Sequence, residues 1–252
     1  MSFDVAADAY DRFMGRYSRL LSPQLADFAG VRSGQRVLDV GSGPGALTAE
    51  LVARVGSSAV AAIDPSASFV AAARERLPGV EVVQESAEQL PYPELTFDAT
   101  VAQLVVHFMP DPNRGLVEMA RVTRRDGVVA ACVWDHAGDL GPLGLFWRPA
   151  RALDPGVDDE SRLPGVRQGH LTELFETAGL REVEETVLWA RVEHASFEAW
   201  WEPFMNGVGP AGAYLASLGP DRQIELRDAC RAMVPMVPFV VTARAWAARG
   251  LA

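Results

Sequence analysis

The sequence of 252 residues contains no lysine, only two cysteines and no apolar run long enough to span a membrane. Two cysteines, Cys132 and Cys230, are too few for a disulfide framework or a cysteine-based metal site. Cys132 lies in an apolar stretch, which is typical of a buried core position. Hydrophobic residues make up 49% of the chain and charged residues 22%, so the composition indicates a globular protein.

Positive charge is scarce as well. The 23 basic residues are outnumbered by 33 acidic residues, which gives a net charge of −10. A strongly acidic chain repels phosphate backbones, so we expect no nucleic acid partner. The polar, acidic start of the sequence, residues 1–4, is unlike a signal peptide, and the default expectation is a cytoplasmic location.

The most informative stretch runs from Val37 to Gly45 and is predicted to be a buried strand that enters a glycine-rich turn. Gly41, Gly43 and Gly45 recur at every second position, where the lack of a Cβ permits a sharp bend and close approach of a ligand. A periodic apolar helix follows and ends at Gly56. Strand, glycine turn and helix open a nucleotide-binding α/β unit, with the ligand at the carboxyl end of the strand.

Asp64 ends the second predicted strand, about 20 residues after the turn. A carboxylate offers two adjacent acceptors for the two hydroxyls of a ribose. Ser66 is the better cap for the next helix, which leaves Asp64 available for a ligand. The turn alone leaves two cofactors open, because Gly41 to Ala46 matches the dinucleotide spacing G-x-G-x-x-A, whereas Gly45 gives G-x-G-x-G.

Further strands are predicted at 80–83, 97–102 and 128–133, separated by loops and helices. A turn is predicted at Arg125-Asp126-Gly127, directly before the last of these strands. The alternation of strands and helices predicts an α/β fold with a doubly wound parallel sheet.

Several segments then fall in a characteristic order over the first half of the chain. They are Tyr10–Ser18, Asp39–Gly45, Asp64, Ser86-Ala87-Glu88, Leu90-Pro91-Tyr92, Phe97-Asp98 and Arg121–Val128. In this order and spacing, residues 35–135 resemble class I S-adenosylmethionine-dependent methyltransferases, in the subgroup related to quinone-biosynthesis methyltransferases. The resemblance implies S-adenosylmethionine as the cofactor and a Rossmann-like sheet of seven strands whose last strand is antiparallel.

The resemblance also assigns roles to single residues. The three turn glycines would face the methionine moiety, Asp39 would help to hold its amino group, and Asp64 would bind the ribose. Ser86 stands where the family usually has an aspartate near the adenine, so Glu88 or backbone groups would have to serve there. Gln103 and Leu104 would lie near the sulfonium. The complete predicted cofactor-binding set is Tyr17, Asp39, Gly41, Ser42, Gly43, Asp64, Pro65, Ser86, Ala87, Glu88, Gln103 and Leu104.

Four regions are predicted along the chain. Residues 1–136 form an N-terminal helix and the cofactor-binding core, and residues 137–195 hold an irregular excursion, a helix at 170–178 and strand six. Residues 196–237 form a helical cap over the carboxyl edge of the sheet, because they separate two strands that are joined by a hairpin in the family. Trp200 and Phe204 are assigned to the packing core of the cap. Residues 238–252 add the last strand.

Methyl transfer from a sulfonium needs alignment in a dry site, and a general base only if the acceptor must lose a proton. His107, close to the carboxyl end of strand four, is the candidate base. Asp135 and His136 are weaker candidates, and His170 and His194 are assigned no role. No spacing indicates metal ligands.

The sequence therefore predicts methyl transfer from S-adenosylmethionine to a small-molecule acceptor, with an apolar or aromatic body. Two alternatives stay open. One is an NAD-dependent oxidoreductase, which the Gly41–Ala46 spacing favours but which would lack a Tyr-x-x-x-Lys pair, since the chain has no lysine. The other is a binding module that has lost catalysis.

Overall fold

The structure is a computed structural model that describes residues 7–234 and 236–252. Its seven strands are Val37–Val40 (β1), Val60–Asp64 (β2), Glu81–Gln84 (β3), Phe97–Gln103 (β4), Thr123–Trp134 (β5), Arg181–His194 (β6) and Phe239–Leu251 (β7). Its α-helices are Ala7–Tyr10 (α1), Arg16–Phe28 (α2), Ala46–Val55 (α3), Ala67–Arg76 (α4), Pro112–Val122 (α5), Gly144–Leu153 (α6), His170–Thr177 (α7), Phe197–Trp201 (α8), Gly209–Ser217 (α9) and Pro220–Ala232 (α10).

The strands form one sheet in the order β3-β2-β1-β4-β5-β7-β6. Strands β1 to β5 pair in parallel, and β7 runs antiparallel between β5 and β6. The prediction of a Rossmann-like sheet of seven strands with an antiparallel last strand is therefore confirmed. Because the order reverses between β1 and β4, their carboxyl ends leave a crevice that suits a ligand.

Apolar residues cover both faces of this sheet. One layer packs α2, α3 and α6 on one face, and the other packs α5 and α7 on the opposite face. Strand β1 is buried along its whole length, as expected for a central parallel strand.

The prediction of a turn at Arg125-Asp126-Gly127 is wrong. Strand β5 already begins at Thr123, and this segment is an irregularity inside the strand. Asp126 has φ +59°, and the pairing with β4 jumps from Phe97–Thr123 to Ala99–Val128. Extra residues accommodated as a bulge carry the same sequence signal as a turn, namely Asp-Gly.

Residues 137–165 were predicted to be irregular, but helix α6 lies within them. Their many glycine and proline residues suggested a loop. Phe146, Trp147 and Ala150 nevertheless keep helical spacing and are all buried, so tertiary packing outweighs the weak local propensity.

The segment between β6 and β7 contains α8, α9, α10 and a 3₁₀-helix, Glu202–Asn206. Phe204 stacks on Phe146 of α6 with ring centroids 4.7 Å apart and meets Phe13 edge-on at 4.9 Å. Trp200 lies 4.9 Å from Phe204. These aromatic rings attach the inserted helices to α6 and to the N-terminal helical segment. None of the helices in the described residues combines the length and apolar character needed to cross a membrane.

Candidate active site

A cavity of about 520 Å³ opens at the carboxyl ends of β1, β2 and β4. One wall comes from the first half of the sheet and the loops behind it, and the other comes from the N-terminal helical segment, the loops after β4 and β5, and the inserted helices. The first wall is lined by Gly41, Gly43, Asp64, Pro65, Ser86, Ala87, Glu88, Gln103 and Leu104. The second includes Phe13, Met14, His107, Trp134, His136, Leu143, Glu160, Val208 and Ala211.

Asp64 and the glycine turn are linked directly. The amide of Gly43 donates to Oδ2 of Asp64 at 2.8 Å, and the amide of Ser66 donates to Oδ1 at 2.8 Å. Burial raises the pKa of the carboxyl group, and these two amides partly offset that rise. Ser66 caps α4, as expected, but Asp64 also holds the turn, so it is not a residue reserved for a ligand. Each carboxylate oxygen keeps a second lone pair for a ribose hydroxyl.

The three turn glycines share a positive φ but differ in what surrounds them. All have positive φ, of 71°, 54° and 100° for Gly41, Gly43 and Gly45. A Cβ on Gly41 would lie 2.4 Å from Val105, and one on Gly45 would lie 2.8 Å from Leu77. A Cβ on Gly43 would meet no atom within 4 Å, although Gly43 lines the cavity. The space beside Gly43 is therefore available to a ligand. At Gly45 the side chain of Leu77, directly after α4, leaves no room for a Cβ.

Asp39 lies behind the turn and does not line the cavity. Its Oδ2 accepts a 2.6 Å hydrogen bond from the Thr48 hydroxyl, whereas Oδ1 has no hydrogen-bond partner within the described part of the chain. Burial raises the pKa of Asp39 to about 7. Ser42 is buried beside it and is also outside the cavity lining, with its amide bonded to the carbonyl of Ile63 at 2.9 Å.

The far end of the first wall combines Ser86, Ala87 and Glu88. The Ser86 hydroxyl donates to the Glu88 carboxylate, and the other oxygen of Glu88 accepts from the amide of Asp111 at 3.3 Å. A carboxylate therefore stands at this end of the cavity even though the usual aspartate is absent. Pro65 completes this part of the wall between Asp64 and α4.

Gln103 and Leu104 line the middle of the cavity. The Gln103 amide donates to the carbonyl of Ser18 at 3.1 Å and so connects β4 to α2, while its Oε1 lacks a partner among the described residues. Leu104 has φ +62°, an uncommon value for a side chain of this size. Such backbone strain concentrates where a ligand is held.

Tyr17 does not line the cavity. Its hydroxyl is 2.9 Å from Nε2 of His194, and the ring is buried against Trp134. Tyr17 lies in α2, directly after a π-helical segment, Asp11–Gly15, and packs into the core with Trp134 and His194.

Three buried titratable groups gather on the second wall. The rings of His107 and His136 are 5.9 Å apart, and Nε2 of His136 is 3.8 Å from Oε1 of Glu160. Glu160 was missed by the sequence analysis, because it lies in the segment expected to be irregular and no spacing connects it to either histidine. Asp135 instead binds Arg244 of β7 at 2.5 Å and lies outside the cavity lining. His170 and His194 also lie outside this lining.

The first wall suits S-adenosylmethionine on structural grounds. It combines an open space beside Gly43, two carboxylates spaced along the wall, and a buried acceptor atom of Gln103 without a partner in the described chain. Over residues 7–234 and 236–252, no three histidine, cysteine, aspartate or glutamate side chains are grouped as metal ligands would be.

Comparison with known proteins agrees with this arrangement. A family model described as a methyltransferase domain matches residues 38–131. The 2-methyl-6-phytyl-1,4-hydroquinone methyltransferase 2 of Oryza sativa subsp. japonica is 40% identical over 115 residues, which are 44% of this chain. That stretch is 31% of the rice protein, so the chain matches only about a third of this relative's length.

An uncharacterized methyltransferase of Mycobacterium bovis is 33% identical over 190 residues, which cover 74% of this chain and 70% of the relative. Among solved structures, the YcgJ protein of Bacillus subtilis superimposes with a TM-score of 0.58 at 18% identity, covering 91% of this chain and 97% of that one. The structural likeness supports the fold. The family model and the mycobacterial relative go further, and they decide against an NAD-dependent oxidoreductase: the chain belongs to the class I S-adenosylmethionine-dependent methyltransferases.

Proposed function

We propose that this chain transfers the methyl group of S-adenosylmethionine to a small acceptor with an apolar or aromatic body. One observation carries the proposal. A single cavity of about 520 Å³ joins the wall built by Gly43 and Asp64 to a largely apolar wall that contains His107. The volume lies in the range typical of small-molecule sites.

The first wall would hold the cofactor. Asp64 would accept hydrogen bonds from the ribose hydroxyls, Ser86 and Glu88 would lie at the adenine, and Gln103 and Leu104 would border the methionine end. The bound group supplies an activated methyl on a sulfonium, so the protein has to align the partners and exclude water. Asp39 would act through the turn, because it does not reach the cavity.

The second wall would hold the acceptor. Phe13, Trp134, Leu143, Val208 and Ala211 present apolar surface, and each is almost completely buried. Apolar walls exclude water and favour an acceptor with an apolar or aromatic body. The rice relative is named for a hydroquinone with a phytyl chain, which is a molecule of this kind. The net charge of −10 also favours a small molecule over nucleic acid as the partner.

Calorimetric titration tests the cofactor. We expect S-adenosylhomocysteine to bind and NADH not to bind under the same conditions. Folded protein that fails to bind S-adenosylhomocysteine would contradict the proposal.

Turnover tests the reaction. Incubation with S-adenosylmethionine and a panel of phenols, amines and quinols should release S-adenosylhomocysteine with at least one class of acceptor. Binding of the cofactor without turnover of any of these acceptors would favour a binding module that has lost catalysis.

A further inference from the structure

The second wall of the cavity contains three neighbouring titratable side chains from three separate segments. His107 follows β4, His136 follows β5, and Glu160 begins a 3₁₀-helix, Glu160–Arg162. His136 stands between the other two, with its ring 5.9 Å from that of His107 and its Nε2 3.8 Å from Oε1 of Glu160. All three residues are at most 5% exposed and line the cavity.

The charge of Glu160 is directed at His136. Its Oε2 accepts a 2.9 Å hydrogen bond from the indole of Trp147, which leaves Oε1 facing the imidazole of His136. In the described parts of the chain, no arginine forms an ion pair with Glu160. A buried carboxylate is costly unless it is paired, so a positive charge on the imidazole of His136 would stabilise Glu160.

Both histidines keep a ring nitrogen without a hydrogen bond. Nδ1 of His107 and Nε2 of His136 have no hydrogen-bond partner among the described residues. Buried polar atoms are nearly always paired, so an unpaired nitrogen on each of two neighbouring rings is a position at which a proton can be taken up. Burial and the nearby His136 hold the pKa of His107 well below its usual range, so its imidazole is neutral at neutral pH.

We propose that the acceptor carries a weakly acidic hydroxyl of the phenol class and that His107 removes its proton, with His136 and Glu160 as positioning residues. The proton passes from the hydroxyl oxygen to the imidazole of His107. That oxygen forms the new bond to the methyl carbon, and the electron pair of the broken carbon–sulfur bond stays on sulfur. The imidazolium then releases its proton to solvent. The inference rests on the proposed methyl transfer.

An acceptor amine held by Glu160 is the competing interpretation. Both oxygens of Glu160 already face partners within the protein, the indole of Trp147 and the ring of His136. The carboxylate is therefore placed to act on His136 and not to receive a ligand ammonium.

The test compares two phenols that differ in their need for a base. At pH 9, 4-nitrophenol is ionised without help, whereas 4-methylphenol stays neutral. The titratable side chains on the cavity wall, which contribute to any pH effect, are Tyr10, Asp64, Glu88, His107, His136 and Glu160.

His107→Gln replaces the imidazole by an amide, whose oxygen can accept a hydrogen bond but cannot take the proton. We expect this variant to lose on the order of 100-fold or more in kcat with 4-methylphenol and less than about tenfold with 4-nitrophenol at pH 9. Binding of 4-nitrophenol to protein loaded with S-adenosylhomocysteine, followed by absorbance, should stay within about threefold of the wild type.

Glu160→Gln keeps an acceptor for Trp147 and removes the charge. We expect about a tenfold loss in kcat with 4-methylphenol at unchanged KM, and little loss with 4-nitrophenol at pH 9. His170→Gln is the matched control, because His170 lies outside the cavity lining, and it should behave as the wild type.

Equal losses with both phenols in His107→Gln would overturn the role of His107 as the base. Wild-type protein that turns over neither phenol, or turns over only amines, would overturn the acceptor class. Calorimetry with S-adenosylhomocysteine distinguishes failure of this inference from failure of the proposed methyl transfer. If only the inference fails, S-adenosylhomocysteine still binds; if the proposed function fails, it does not bind.

Discussion

Asp39 is a carboxyl group with no exposed surface, held by one hydroxyl and lacking a partner for Oδ1 within the described chain. Burial raises its pKa from 3.8 to about 7, so the folded protein binds the proton more tightly than the unfolded chain. Between about pH 4 and pH 7 the unfolded chain loses this proton first. The contribution of Asp39 to the free energy of unfolding therefore falls as the pH rises, by roughly 4 kcal/mol in total.

Asp39→Asn should remove this dependence. We expect the variant without ligand to be more stable than the wild type at pH 8 and to lose that advantage towards pH 4. Urea denaturation across this range measures the difference between the two proteins. The pH dependence of either protein alone also includes His107, whose lowered pKa changes the free energy of unfolding with the opposite sign. The difference in the free energy of unfolding between the two proteins removes this shared contribution. A difference that does not vary with pH would contradict the raised pKa of Asp39.

Asp64 has a structural role in the turn and a proposed role in binding the ribose. Asp64→Asn puts an amide NH₂ against one of two backbone N–H groups, at Gly43 or Ser66, so we expect a loss of about 1–3 kcal/mol in stability. Loss of charge-assisted bonds to the ribose should also weaken binding of S-adenosylhomocysteine on the order of 100-fold. Calorimetry well below the melting temperature measures the affinity.

Asp98→Asn is the matched control for Asp64→Asn. Asp98 also accepts a backbone amide, from Arg36 at 2.6 Å, but it lies at the opposite end of the sheet from the cavity. This control should lose stability and keep its affinity. Wild-type affinity in Asp64→Asn would exclude the ribose role.

At the scale of the element, two glycines of the turn after β1 differ in their surroundings, since Gly43 borders the cavity and Gly45 borders Leu77. Gly43→Ala introduces a methyl group into open cavity space, whereas Gly45→Ala directs one at Leu77 of the segment after α4. Both positions have positive φ, so each change should cost about 1–2 kcal/mol in stability from the backbone.

Only one of the two variants should affect the ligand. We expect Gly43→Ala to lower the affinity for S-adenosylhomocysteine at least about tenfold. The new methyl group would occupy space proposed for the ligand, and a loss of about 1.4 kcal/mol in binding free energy is enough for a tenfold change. Gly45→Ala should keep the affinity within about threefold of the wild type. It should lower the melting temperature at least as much as Gly43→Ala does. Calorimetry and thermal denaturation of both variants provide the comparison. Equal affinities in the two variants would show that Gly43 does not face the ligand.

Across the whole molecule, the cavity depends on aromatic contacts between distant segments. Phe13 from the N-terminal segment, Phe146 from α6 and Phe204 from the inserted helices meet in one cluster. Phe13 also lines the cavity, so the cluster positions part of the second wall.

Phe204→Ala should destabilise the fold by about 3–5 kcal/mol, because the ring is 99% buried and its removal leaves a void. Met205→Ala changes the neighbouring residue, which is 69% exposed, and should cost less than about 0.5 kcal/mol. Urea denaturation of the two variants checks the contrast. Similar stability losses would mean that the inserted helices do not depend on this cluster.

The sequence by itself determined the sheet and the first wall of the cavity. Buried strands, glycine spacing and helix caps are local patterns, so β1, β2, β4 and the turn with Asp64 could be predicted from neighbouring residues. The same patterns gave wrong predictions for Arg125–Gly127, where a bulge carries the sequence signal of a turn, and for α6, where packing outweighs glycine and proline.

Only the tertiary structure decided which residues form the second wall of the cavity. Glu160 lies beside His136, and Tyr17 contacts His194 and does not reach the cavity. In each pair the two residues come from segments that no sequence motif connects. Local periodicity fixes which face of an element is buried, but which distant side chains meet there depends on how whole elements pack against each other.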